Sequence, residues 1–183
     1  MNFVKFKRAE RINAVFCLIV GTLSHFLYDW SGQNKLIALF SPVNESTFEH
    51  LKLLFFPWLW FGIVEVFLLC KAPITNKCRQ YVIPAKTIGV ISGCAAICIS
   101  FYTYTGFLGY SIDFINILTF VIGVAVQYFV TINVFKSGKF ATENFLRISI
   151  IIIIVIIALF TIFTFFPPHI AFFRDPLNFS YGI

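Results

Sequence analysis

Charge is what this sequence has least of. Only 12% of its 183 residues are charged, against 59% that are hydrophobic, and the mean hydropathy is +0.88. Soluble globular domains carry about a quarter charged residues, so that class is excluded. Also missing are a Gly-rich phosphate loop, an HExxH zinc helix and a GxSxG nucleophile elbow, which removes support for those catalytic families. The chain shows no internal repeat, low-complexity tract or soluble domain. Cysteine is scarce and odd in number at five, with none in the segments read below as outer loops. Cys94 and Cys98 are four apart, a packing spacing rather than a redox CxxC. A disulfide framework is therefore not expected, and all five, including Cys70 and Cys78 flanking a loop, are read as small buried hydrophobes.

What is present is long apolar sequence. Hydrocarbon tolerates only helices or closed barrels, and a barrel needs short alternating segments, whereas Ile148 to Phe166 is almost unbroken apolar sequence. The fold class expected is all-α, a helical transmembrane bundle of about five spans at roughly 20 residues each. The spans are Ile12–Trp30, Leu51–Cys70, Val82–Tyr104, Asp113–Phe135 and Phe145–Phe166, within one integral membrane domain over residues 1–183. The first span follows a basic segment without an A-x-A site, which reads as a retained signal anchor.

The formal charge of +6 is distributed as topology signals are, in short clusters between apolar runs. The lipid bilayer is the expected partner, and no nucleic acid is. Lys5, Lys7, Arg8 and Arg11 form one cluster, Lys71, Lys77, Arg79 and Lys86 a second, Lys136, Lys139 and Arg147 a third. Only Lys35, Lys52 and Arg174 remain for the other side. The positive-inside rule then puts the N-terminus inside and the C-terminus outside, at the cell (plasma) membrane. The outer elements are Ser31–His50, Thr105–Ile112 and the tail Pro167–Ile183. Within them Asn34–Ser41 reads as a short apolar helix stopped by Pro42, and Ser46-x-x-Glu49 as a capping box for the second span. Pro57 is expected to kink that span.

All three histidines, His25, His50 and His169, fall at this outer end. His25 and Asp29 are four apart, on one helix face, with His25 roughly 21 Å along the helix from Arg11. An ionisable group there is expected to face the bundle interior or a water-filled cavity. A helix-end His–Asp pair is the plain alternative to a ligand oriented by a carboxylate. The run Pro42 to His50 is the densest polar stretch. Capping accounts for Ser46 and Glu49 but not for Asn44, Glu45 or His50, and a neutral imidazole at a helix start is a metal ligand in waiting. The tail carries Phe172, Phe173, Leu177, Phe179 and Tyr181, too apolar to stay in water. It is expected to fold over the outer end and bring His169 or Arg174, next to Asp175, within reach of Asp29, Glu45 or Glu49. Glu65 and Gln127, inside spans, are expected to satisfy one another or a backbone group.

Two functional readings carry equal weight. In the first, a divalent metal such as zinc is held by some of His25, Asp29, His50 and His169, with Glu45 or Glu49 as general base. That gives metal-assisted hydrolysis of a lipid-like or envelope substrate. In the second, the same groups bind a cation or small molecule for transport, with Glu65 and Gln127 continuing the path inward. A non-catalytic accessory role is the third alternative.

The run SHFLYDWSGQNKLIALFSPVNESTFEHLKLLFFP, together with the terminal PPH, RDP and YGI, resembles an uncharacterised family of small bacterial multi-pass membrane proteins. The resemblance covers essentially the whole chain, and the PVNES-T-F-EH-LKLLFFP run carries it. It implies the helical membrane fold and equivalence of His25, Asp29, Asn44, Glu45, Glu49 and His50 with that family's motif, and it brings no activity. Ceramidase-like membrane hydrolases share the theme of clustered His and Asp, but their seven spans are not matched here.

Overall fold

Ile148 to Phe166, the most apolar run, forms the body of the last long helix in the structure, a computed structural model that describes residues 3–70 and 75–183. Seven helices are used below: α1 (Phe3–Ser24), α2 (Leu27–Trp30), α3 (Thr47–His50), α4 (Lys52–Leu69), α5 (Thr75–Leu108), α6 (Asp113–Ser137) and α7 (Glu143–Phe165). The described residues form an all-α bundle. Local chemistry sets the boundaries. Thr142 caps α7 by accepting from Phe145 N, and the Pro167–Pro168 pair follows its last turn, where proline cannot continue a helix. Four helical stretches, Thr47–Leu69, Asn76–Leu108, Asp113–Ser137 and Glu143–Phe165, are long and apolar enough to cross a membrane.

The first expected span differs. The helix starts at Phe3 rather than Ile12 and breaks at Ser24, so any long window within it includes Lys7, Arg8, Glu10 and Arg11. Its sides are also reversed relative to a soluble helix. Glu10, Asn13, Cys17, Gly21 and Ser24 are buried, whereas Ile12, Val15, Ile19 and Leu23 are exposed. Among the basic clusters, Lys86 is buried within the bundle and Lys52 is fully buried at the other end, so neither is a loop charge. Removing one from each side leaves the asymmetry with its sign. Lys71 lies outside the described residues.

α1 packs on α4 and α6, α5 lies between α6, α4 and α7, and α7 exposes most of its apolar surface. One core cluster, around Phe48, Leu54, Phe55, Trp58, Val90 and Phe160, fills the half that carries the loop 31–46. A second, around Phe6, Val82, Ala85, Ile132 and Phe135, fills the other. There Cys70 and Cys78 are joined in a disulfide with Cα atoms 5.4 Å apart, which corrects the expectation that every cysteine is a free buried hydrophobe. Cys17, Cys94 and Cys98 are free. The short link between α4 and α5 brings two thiols eight residues apart to one helix–helix corner, a proximity that spacing rules do not reveal.

α4 runs through Pro57 without interruption. The carbonyl four residues earlier, on Leu53, has no helical donor because proline lacks an N–H. It is covered by α1, where a Cβ at Gly21 would meet Leu53 O at 2.5 Å. Only glycine allows this approach, and it brings the end of α1 beside the start of α4. Asn34–Ser41 forms a single 3-10 turn, Ile37–Leu39, with Ala38 buried.

Candidate metal centre

The chain breaks after Ser24, whose hydroxyl donates to Gly21 O, and the next residue, His25, turns toward α3. Ser46 caps α3 by accepting from Glu49 N at 3.3 Å, which places His50 on its last turn and leaves Glu45 just outside it. The reciprocal half of the expected capping box is replaced: Glu49 Oε2 accepts from Val43 N, while Asn44 Oδ1 takes Ser46 N.

His25, Glu45 and His50 therefore converge. His25 Nε2 lies 3.2 Å from His50 Nε2 and 3.6 Å from Glu45 Oε1, and His50 Nε2 lies 3.3 Å from Glu45 Oε2. Four-coordinate zinc with ligands at about 2.05 Å sets its donors about 3.3 Å apart, the edge of the tetrahedron. The three contacts sit at or near that edge. His50 Nδ1 lies 2.9 Å from Ser46 O. A proton on Nδ1 donated to that carbonyl leaves the Nε2 lone pair free, the arrangement that orients metal-bound histidines. While the two Nε2 atoms carry protons in place of a metal, hydrogen bonds from His25 and then His50 hold the Glu45 carboxyl well below the usual carboxylate range, and metal binding would displace those ring protons. Two imidazoles and one carboxylate are a donor set for zinc that leaves a fourth position open, and for six-coordinate iron as well.

A cavity of about 130 Å3 adjoins the cluster. Its lining includes Glu45, Thr47 and His50, Asp113 and Asn116 at the start of α6, and the apolar Ile97, Phe101 and Phe120. Among the described residues that line it, none is lysine or arginine. Asn116 accepts from the Tyr104 hydroxyl, which ties the end of α5 to α6 at this mouth.

The other expected site residues go elsewhere. Glu49 is 2% exposed and bonded to Lys52 Nζ at 2.7 Å and to the Thr164 hydroxyl at 2.9 Å. Lys52 Nζ also donates to Thr164 Oγ1 and Ala38 O. This buried pair fixes the loop 38–43 and α7 against α4, and Glu49 has no free oxygen to offer a substrate. Asp29 is exposed on α2. His169 is exposed and stacks on Tyr181 with centroids 4.5 Å apart. Arg174 lies over the Phe179 ring at 5.1 Å.

The tail does fold back, by different residues than expected. Asp175, 3% exposed, accepts from Glu45 N at 3.2 Å and from Leu177 N at 2.7 Å, and Asn44 Nδ2 donates to Gly182 O at 3.2 Å. Backbone hydrogen bonds joining Asp175 to Ser180 and Ile183 to Thr164 close the tail. Phe173 is buried against Phe48 and Phe163, whereas Leu177 and Phe179 remain exposed. Asn44 and Asp175 thus position Glu45 through its backbone. Sequence reasoning missed Lys52, Thr164 and Asn116. A lysine three residues after Glu49 in an otherwise apolar helix was the available signal for the first.

An all-α bundle with four helices long enough to cross a membrane and a two-histidine, one-carboxylate cluster at one end is the class defined so far. The chain belongs to the family described as "Family of unknown function (DUF6512)", whose model matches residues 2–183. No curated protein and no solved structure matches it.

Proposed function

We propose that this is a multi-pass protein of the plasma membrane whose outer end binds one zinc ion through His25, His50 and Glu45 and uses it to hydrolyse a neutral, lipid-like ester or amide. The observation that carries the reading is the convergence of three donor atoms at tetrahedral edge distances beside a half-apolar cavity. Reading α1 as a fifth span is supported by its outward Ile12, Val15, Ile19 and Leu23, and the basic asymmetry supports an inner N-terminus.

When bound, zinc lowers the pKa of its water and polarises a carbonyl. Asp113, which lines the same cavity and is not among the three donors, is the carboxylate we assign to take the proton from the attacking water and return it to the leaving oxygen or nitrogen. Water adds to the carbonyl carbon, the acyl–oxygen or acyl–nitrogen bond breaks, and an acid and an alcohol or amine leave. Asp113, with no lysine or arginine among the residues that line the cavity, disfavours a phosphate group as the reacting part. Ile97, Phe101 and Phe120 offer the apolar strip along which a chain can lie. Transport is the weaker reading, because Leu54, Phe55, Trp58, Val90 and Val124 fill the bundle between the cluster and the opposite end.

The test is hydrolysis of fluorogenic long-chain esters and amides by purified protein in micelles. Zinc-dependent turnover that falls by about 10²- to 10⁴-fold in Asp113→Asn, the range for a general base, is the expected result. Turnover unchanged by chelation or by Asp113→Asn would contradict it.

A further inference from the structure

A second ionisable cluster lies deep in the bundle and plays no part in the outer site. Lys86 on α5 donates to Glu10 Oε1 of α1 at 2.6 Å and to Glu65 Oε2 of α4 at 2.7 Å. All three residues are at most 3% exposed. Glu10 is 15 residues before His25, roughly 22 Å along the helix. Apolar layers close the cluster off: Phe6, Val82 and Ala85 on one side, Leu54, Trp58 and Val90 on the other. Ile150, Ile153 and Ile154 of α7 help to line an apolar groove of about 320 Å3 that reaches Lys86.

The hydrogen bonds do not balance. Glu10 is complete, since its second oxygen accepts from Asn13 Nδ2 at 3.1 Å, and Cys17 Sγ donates onward to Asn13 Oδ1 at 3.5 Å. Glu65 Oε1 is buried and has no donor. Lys86 Nζ bonds one oxygen of each carboxyl, at 2.6 and 2.7 Å, so the two acids share one site. Ionised carboxylates are acceptors only, so neither acid can satisfy the other unless one of them carries a proton. Two carboxylates and one ammonium leave one negative charge in a low-dielectric interior, where an uncompensated charge is costly. Among the described residues, the charged groups acting on Glu65 are Glu10 from α1 and Lys86 from α5, with Cys17 of α1 near both of those.

We propose that Glu10, Lys86 and Glu65 form a proton-binding site at membrane depth, in which one proton lies between the two carboxyls and makes the cluster neutral. Contact with water is blocked on both sides, so the proton locks α1 onto α4 and α5 rather than passing through. The site stands independently of the outer metal reading.

Infrared spectroscopy of the full chain in nanodiscs tests it through the carbonyl stretch of a protonated carboxylic acid. Wild type at neutral pH is expected to show one such band, absent from Glu65→Gln and unchanged in His50→Ala. Glu65→Gln replaces an acid by an amide of the same shape and is expected to fold, with a thermal midpoint at or above that of wild type. Lys86→Met, if it folds, is expected to double the band, because both carboxyls then hold protons. The absence of an acid band in wild type, its persistence in Glu65→Gln, or a Glu65→Gln chain that fails to fold would each overturn the proposal. So would stabilisation by sodium ions in place of the band, which would assign the site to a metal cation.

Discussion

Lys52 offers the sharpest test of how the outer end is built. Its ammonium is completely buried and bonded to Glu49 Oε2, Thr164 Oγ1 and Ala38 O at 2.6 to 2.8 Å, with Ser41 O at 3.5 Å. Those partners belong to α3, α7 and the stretch from the Ile37–Leu39 turn to Ser41, so one cation joins three pieces of chain. Lys52→Met keeps the stem volume and removes the charge. Glu49 is then a buried carboxylate with only Thr164 and Val43 N as donors. Removing one partner of a buried pair costs about 3–5 kcal/mol. The double variant Glu49→Gln/Lys52→Met no longer buries a lone charge and should recover part of that loss. Chemical unfolding in a mild detergent measures both. A Lys52→Met loss below about 1 kcal/mol, the size of an exposed pair, would refute the assignment of Lys52 as the buried tie.

Two further outcomes follow from the same contacts. Gly182 has φ +62°, and a Cβ there would meet Thr164 O at 2.6 Å, so Gly182→Ala should unseat the tail, free Asn44 and lower metal content while leaving the helices intact. Circular dichroism and metal analysis of one sample separate those effects, and unchanged metal content would remove the tail from the site's support. Reporter fusions at Thr75 and after Ile183 are expected to give cytoplasmic and external signals respectively. Equal signals would reverse the placement of the cluster at the outer face.

The helices were legible because burial in lipid demands long apolar sequence, and α4 to α7 carry it with little interruption. The helix α1 runs from Phe3 to Ser24 where the expected span ran from Ile12 to Trp30, and its polar residues face inward, so hydropathy undervalues it while neighbouring helices satisfy it. The meeting of His25 with Glu45 and His50 was legible only as a shared end of the bundle. Which histidine stays outside depended on where Pro167 sends the chain, and the tail presents His169 to Tyr181 instead. Glu49 looked available because its cap role is local, whereas its partner Thr164 lies 115 residues away. Glu10 and Lys86 were hidden because their segments carry other charges that encode topology, and Glu65, visible inside a span, was expected beside Gln127 or a backbone group; only packing shows that Lys86 turns inward to meet both acids. The Cys70–Cys78 bond likewise depends on the angle at the α4–α5 corner.

The central claim is that His25, Glu45 and His50 hold a metal, and elemental analysis of the purified chain measures it directly. After dialysis against trace zinc, wild type is expected to retain one zinc per chain, His169→Ala and Asp29→Asn the same, and His25→Ala and His50→Ala little or none. Acidification should release the metal, since imidazole must be neutral to coordinate it. Wild-type protein without bound metal, or zinc retained in full by a folded His25→Ala/His50→Ala variant, would contradict the account.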